Sequence, residues 1–224
     1  AFQMKGQVLS VYDINTDDYP IVEARFLYLD QRGQQVFDMR PEGFGITENG
    51  RPAPVLDVKH PRKSAPRKLS VVLAFDVSSS MEQERLDMAR QAALEFVDLL
   101  PLEISECAVS SFDHMNYLNC DFTHSQGRLQ DAIDSLYARG GTSYNSGFLA
   151  PFSGALRVAK TGRFKRVVVF LTDGLGGGDR ERIVRMANQH DITVYPVTIA
   201  METPEILKEV ATHSGGRYFG KVED

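Results

Sequence analysis

No stretch of the 224-residue chain is apolar for the roughly 18 residues that crossing a bilayer requires, so no membrane-spanning helix is expected. Cysteine is scarce, with only Cys107 and Cys120. They fall on two neighbouring apolar runs that read as a hairpin. A cross-strand disulfide is geometrically open there, buried free thiols are the more ordinary reading, and the pair does not fix a redox compartment. Basic residues are not in excess: the formal net charge is −5, and no basic stripe occurs outside residues 60–68. That argues against nucleic acid as the main partner. The opening AFQMKGQVLS has neither the charged start nor the apolar middle of a signal peptide. This decides little, because a cleaved signal leaves no trace.

The marks of common catalytic sites are also missing. Gly176-Gly177-Gly178 lacks the Lys-Ser/Thr of a phosphate loop, and Ser78 does not lie in G-x-S-x-G. Asp76-Val77-Ser78 lacks the second aspartate of D-x-D phosphatases. His114, His124, His190 and His213 have no paired metal-ligand spacing and read as surface or loop residues. With no general base beside a nucleophile, an enzyme is not expected. Internal repeats and low-complexity segments are absent.

What is present includes an apolar content of 42%, ample for a core. Residues 1–60 read as an all-β module. Gln7 to Tyr12 is one β run, and Ile21 to Leu29 is a second, followed by the turn Asp30-Gln31-Arg32-Gly33. Phe44 to Glu48 leads into Asn49-Gly50, a strong hairpin signal, with Val55 to Val58 as the expected return strand. Short strands between turns suggest a small β-sandwich. A module of this size is marginal alone and is expected to pack on the rest. Residues 61–68, within the Pro- and Lys/Arg-containing run HPRKSAPRK, read as a linker.

From Leu69 strands and helices alternate, which implies a doubly wound, mostly parallel α/β sheet over residues 69–224. The organising stretch is LSVVLAFDVSSSM, Leu69 to Met81. Its apolar half reads as a strand buried on both faces, as at the centre of a parallel sheet. The expected helices are Glu84 to Leu100, Gln126 to Ala138 with Leu136 and Tyr137 inward, Ser146 to Lys160, Glu181 to Gln189 and Pro204 to Thr212. The hairpin is Glu106 to Phe122. The later strands are Val167 to Leu171, Ile192 to Ile199 and Arg217 to Phe219.

Two of the buried strands end in aspartates, Asp76 and Asp173. Parallel strands share their carboxyl edge, and open α/β sheets bind ligands there. Ser78 and Ser80 follow Asp76, and Gly140-Gly141-Thr142 presents another hydroxyl on a tight loop. A helix cap plus a turn accounts for Asp-x-Ser-x-Ser alone. The five groups together offer two carboxylates, whose charge balances a divalent cation, and three neutral hard oxygens. With waters this is an all-oxygen site of the kind Mg²⁺ prefers, with Mn²⁺ or Ca²⁺ as alternatives. Asp113 reads as a turn residue near the same edge, Asn145 as a helix cap, and Gly176-Gly177-Gly178 as a flexible rim loop. Met115 and Tyr144 are candidates for the rim, and Phe148 for rim or core.

The order D-x-S-x-S, then Thr, then T-D-G resembles the von Willebrand factor type A (vWA) domain with its metal-ion-dependent adhesion site. The resemblance covers residues 69–224. It implies a Rossmann-like sheet with one antiparallel edge strand, here part of the Cys-bearing hairpin. It implies that Ser78 and Ser80 bind the cation directly, Thr142 directly or through water, and Asp76 and Asp173 mostly through water. One coordination position is left for a Glu or Asp of a protein partner. Phe44, Ile46, Glu48, Asn49 and Gly50 also loosely resemble an immunoglobulin-like module that precedes such domains in bacterial proteins. The implied function is a metal-dependent protein-binding module, as in cell adhesion; the alternative is an assembly or chaperone-like factor acting with an ATPase complex. An extracytoplasmic location, periplasmic or cell surface, goes with the first and an intracellular one with the second. The resemblance also allows movement of the helix Pro204 to Thr212 on binding.

Overall fold

The computed structural model describes residues 8–30, 36, 39–59 and 67–222. The chain divides into two compact units, Ala1–Ala65 and Pro66–Asp224. All but the last two residues of the linker expected at 61–68 lie outside the described residues.

In the first unit, β1 (Val8–Asn15) pairs antiparallel with β2 (Glu23–Leu29). A second ribbon joins β3 (Ile46–Glu48) to β4 (Arg51–Ala53). Asn49 and Gly50 both have positive φ, 50° and 79°, the backbone that a two-residue turn matching strand twist demands. That turn sets the register Glu48↔Arg51 and corrects the expected return strand at Val55 to Val58: a two-residue turn puts the return strand at once. Among the described residues these are two separate two-stranded ribbons. Phe26 and Phe44 meet edge to face, 4.9 Å between ring centres.

The second unit is the expected doubly wound α/β fold. Its elements are β5 (Leu69–Asp76), α1 (Glu84–Leu99), β6 (Glu106–Phe112), β7 (Asn116–Thr123), α2 (Gln126–Asp134), α3 (Tyr144–Leu149), α4 (Ala155–Ala159), β8 (Lys165–Thr172), α5 (Arg180–Gln189), β9 (Ile192–Ile199), α6 (Glu205–His213) and β10 (Phe219–Val222). The sheet order is β10-β9-β8-β5-β6-β7, and β7 alone is antiparallel. Chain order runs outward from β5 through β6 and β7 on one side, and from β8 through β9 and β10 on the other. The strand order therefore reverses between β5 and β8, where such sheets open a crevice at their carboxyl ends.

β5 explains its own position. Val71, Leu73 and Phe75 enter a core with Leu86, Ala89, Ala93 and Val97 of α1 and Leu129 and Ile133 of α2. Val72 and Ala74 enter a second core under α3 to α6. A strand covered on both faces needs the unbroken apolar run that LSVVLAF supplies.

Two helices and the last strand of this unit depart from expectation. The helix expected from Ser146 to Lys160 is broken into α3 and α4, because Pro151 lacks an N–H and forces the preceding Ala150 extended, with ψ 137°. α2 stops at Asp134 instead of Ala138, and the chain straightens so that Arg139 N–H reaches the Val77 carbonyl at 2.6 Å. Leu136 is buried as expected, but Tyr137 is 60% exposed, its ring against the Arg139 guanidinium. The last strand lies at Phe219–Val222, beyond the expected Arg217 to Phe219. Both cysteines are buried free thiols.

Candidate metal centre

Four of the five predicted residues, Asp76, Ser78, Ser80 and Asp173, meet at the crevice at the strand reversal. Asp76 ends β5 and is fully buried. Its Oδ1 accepts the Ser78 backbone N–H at 2.9 Å, and its Oδ2 accepts the Thr172 hydroxyl at 2.6 Å. The first bond folds the chain back over the strand end and leads into a 3₁₀ turn at Ser79–Met81. That turn points Ser78 and Ser80 the same way, with their hydroxyl oxygens 3.1 Å apart. This is a hydrogen-bond distance. It is also close to the roughly 2.9 Å that separates neighbouring oxygens on an octahedral ion with 2.0–2.1 Å bonds.

Asp173, one residue past β8, is also fully buried. Its Oδ1 accepts the Leu175 N–H at 3.0 Å and its Oδ2 the Arg85 guanidinium at 3.1 Å. Thr172 takes part through both faces of its hydroxyl, donating to Asp76 and accepting the Gly174 N–H at 3.1 Å. The two carboxylates are thus tied to the crevice by their own loops.

Thr142 is half-buried on the adjoining loop. That loop is stitched to the first one: Ser79 N–H donates to the Gly140 carbonyl at 2.9 Å, and Arg139 N–H to Val77. Gly140 has φ 69°, which lets the chain double back against His114 and Asp113. Ser143, rather than Asn145, caps α3 by accepting the Ser146 N–H. Asn145 instead accepts the Asp179 N–H at 2.8 Å. The triglycine segment is not a loose rim. Gly177 accepts the Tyr144 N–H, and a Cβ on Gly176 would meet the Tyr144 ring at 2.5 Å and the Thr142 methyl at 2.8 Å.

Two contributors escaped the sequence reading, Thr172 and Arg85, and a third, Tyr144, was misplaced. Thr172 was hidden in the strand; its place before Asp173, level with the end of β5, was the available signal. Arg85 gave none beyond its place on the first turn of α1. Tyr144, expected at the rim, is fully buried, and its hydroxyl makes no hydrogen bond among the described residues. Burial pushes that phenol up; the Thr172 hydroxyl, close by but outside hydrogen-bond geometry, opposes, and the nearby Asp76 and Asp173 charges push the same way as burial. Asp113, expected in a turn, is a buried carboxylate paired with Arg139 at 3.3 Å and His114 at 3.2 Å. Phe148 is core, and Met115 is exposed.

Burial also governs Asp76, whose carboxyl is pushed up to about 6. The bonds from Ser78 and Thr172 work against that rise, and Asp173 adds to it. A buried acid held by neutral donors next to a second carboxylate is short of positive charge. Among the described residues no group of three or more His, Cys, Asp or Glu is arranged to hold a metal. A cation here would be held by hydroxyls and two carboxylates. Those hard oxygens, with the serine hydroxyls paired, fit a small divalent ion.

Residues 71–175 match the family model of the von Willebrand factor type A domain. An uncharacterized protein of Synechocystis is 27% identical over 157 residues, covering 66% of this chain. The chain spans 36% of that curated relative. An aerotolerance-related membrane protein from Bacteroides fragilis superposes with a TM-score of 0.59 at 17% identity, over 70% of this chain and 92% of that one. Proximal thread matrix protein 1 of the mussel byssus, with a zinc-occupied MIDAS motif, superposes with a TM-score of 0.58 at 18% identity, over 69% and 41% of the two chains. These likenesses show the fold: the second unit is a mostly parallel, vWA-type sheet flanked by helices.

Proposed function

We propose that residues 69–224 form a metal-dependent protein-binding module that captures an acidic side chain of a protein partner. The observation that carries this reading is the convergence of Asp76, Ser78, Ser80 and Asp173 on the crevice between β5 and β8, with the serine hydroxyls 3.1 Å apart. Ser78, Ser80 and Thr142 supply neutral oxygens. Asp76 and Asp173 supply the balancing charge while their own loops hold them in place. A bound Mg²⁺, or Mn²⁺ or Ca²⁺ in its stead, supplies an electrophilic position that a Glu or Asp carboxylate can fill. Because hydroxyls rather than carboxylates lead the donor set, little charge is quenched before the partner arrives.

Exposed side chains surround this edge. Met115 and Leu175 are 55% and 50% exposed, and Tyr137 and Arg139 lie on the loop before Thr142. They suit a mixed apolar and acidic partner. No nucleophile–base pair accompanies the site, which supports binding over catalysis. We place the protein outside the cytoplasm, in the periplasm or at the cell surface; the likeness to an aerotolerance-related membrane protein supports this. Residues 1–60 are read as an accessory β module, joined through 61–68.

The test has two arms. Saturating Mg²⁺ or Mn²⁺ raises the thermal midpoint and gives heat on titration, since a ligand that binds only the folded state stabilises it. Asp173→Ala keeps the fold but loses EDTA-sensitive capture of partner. Wild-type capture by that variant, or a chain indifferent to metal, would remove the bridging mechanism.

A further inference from the structure

Arg85 lies on the first turn of α1 and reaches into the crevice. Its Nη1 donates to the Ser80 carbonyl at 3.0 Å and to Asp173 Oδ2 at 3.1 Å. The four carboxylate oxygens of Asp76 and Asp173 are therefore all engaged, but by different kinds of group. Three are held by the backbone or a short hydroxyl: Ser78 N–H, Thr172 Oγ1 and Leu175 N–H. The fourth is held by a long, flexible side chain that is 36% exposed, while Asp173 itself is fully buried. A guanidinium on a path to solvent can withdraw once another cation compensates Asp173. The others cannot move without unwinding the loops that form the site.

We infer that Arg85 is an internal counter-cation that competes with the divalent ion for Asp173 and so sets the affinity of the site; this rests on the metal-binding reading above. With Arg85 on Asp173, the buried carboxylate is neutralised without metal, which keeps the crevice formed. The same positive charge repels an incoming cation and occupies an oxygen that the cation's hydration shell would use. The two cations exclude one another in whole or in part. Metal binding then releases Arg85 from Asp173. Competition by a resident arginine makes the site weaker than its donor set alone would be, and makes occupancy depend on metal concentration and on the partner together.

The experiment compares the full chain with Arg85→Gln and Arg85→Lys, using Mg²⁺ titration calorimetry and thermal unfolding in EDTA. Arg85→Gln keeps a polar side chain and loses the charge. It should bind Mg²⁺ at least about fivefold more tightly than wild type, unfold at a lower temperature in EDTA, and gain more from saturating Mg²⁺. Arg85→Lys keeps the charge and should stay within about twofold of wild type. An Arg85→Gln affinity equal to or weaker than wild type overturns the competition while leaving metal binding intact. Absence of Mg²⁺ heat in wild type and both variants overturns the metal reading itself. Heat in Arg85→Gln alone supports Arg85 as the block.

Discussion

Asp76 is a buried carboxyl group, kept in place by two neutral donors beside a neighbouring negative charge. Its carboxyl is pushed up to about 6 from 3.8, chiefly by burial. Between those values the folded protein keeps a proton that the unfolded chain releases. Metal-free stability therefore falls as pH rises through this window, by roughly 3 kcal/mol in total, and is flat above it. Urea midpoints in EDTA at pH 4, 5, 6 and 7 should show that decline, and Asp76→Asn should abolish it. A cation needs the ionised form, so Mg²⁺ affinity should drop about tenfold per pH unit below 6. A pH-independent affinity between 5 and 7 would mean that Asp76 is already ionised throughout. The sequence shows Asp76 plainly because it ends an apolar run. It does not show what the Thr172 hydroxyl, Tyr144 and Arg85 do, because their roles arise only when strands far apart in the chain are laid edge to edge.

At the scale of elements, the crevice rests on a ring stack. Phe170 of β8 lies between Phe148 of α3, with ring centres 4.0 Å apart, and Phe112 of β6 at 4.7 Å; Tyr144 meets it edge-on at 5.6 Å. α3 can come this close because Gly147 faces the rings. A Cβ there would lie 2.9 Å from atoms of both Phe112 and Phe170. Gly147→Ala would improve helix propensity but overpacks the stack. The clash should prevail, with a net loss of about 1–3 kcal/mol. Because α3 starts two residues after Thr142, the variant should also weaken Mg²⁺ binding, whereas Gly127→Ala, in α2 with open space around it, should do neither. Thermal midpoints and metal titrations of the two variants check this. The central strands β5 and β8 were legible because both their faces are buried, which demands an apolar run. Helix ends were less so. The break at Pro151 followed from a residue in plain view that outweighed the apolar period, while the end of α2 follows from the Arg139–Val77 hydrogen bond, which no local pattern reports.

For the whole molecule, burial is distributed unevenly. The second unit has two apolar layers, one on each face of its six-stranded sheet, containing the large side chains Phe75, Phe112, Phe148 and Phe170. In the first unit no described residue is fully buried, and several apolar side chains, including Leu9, Val11 and Ile21, are half exposed or more. A unit of this size buries too small a fraction of its surface to offset much chain entropy. Residues 66–224 alone should therefore unfold in one cooperative transition and keep the full Mg²⁺-induced shift, because every candidate ligand and both cores lie within them. Residues 1–65 alone should show no cooperative transition in far-UV circular dichroism. If 66–224 failed to fold, part of the core would have to come from the first unit. If it folded but lost its response to Mg²⁺, a ligand would have to come from there, and the five-oxygen set would be incomplete.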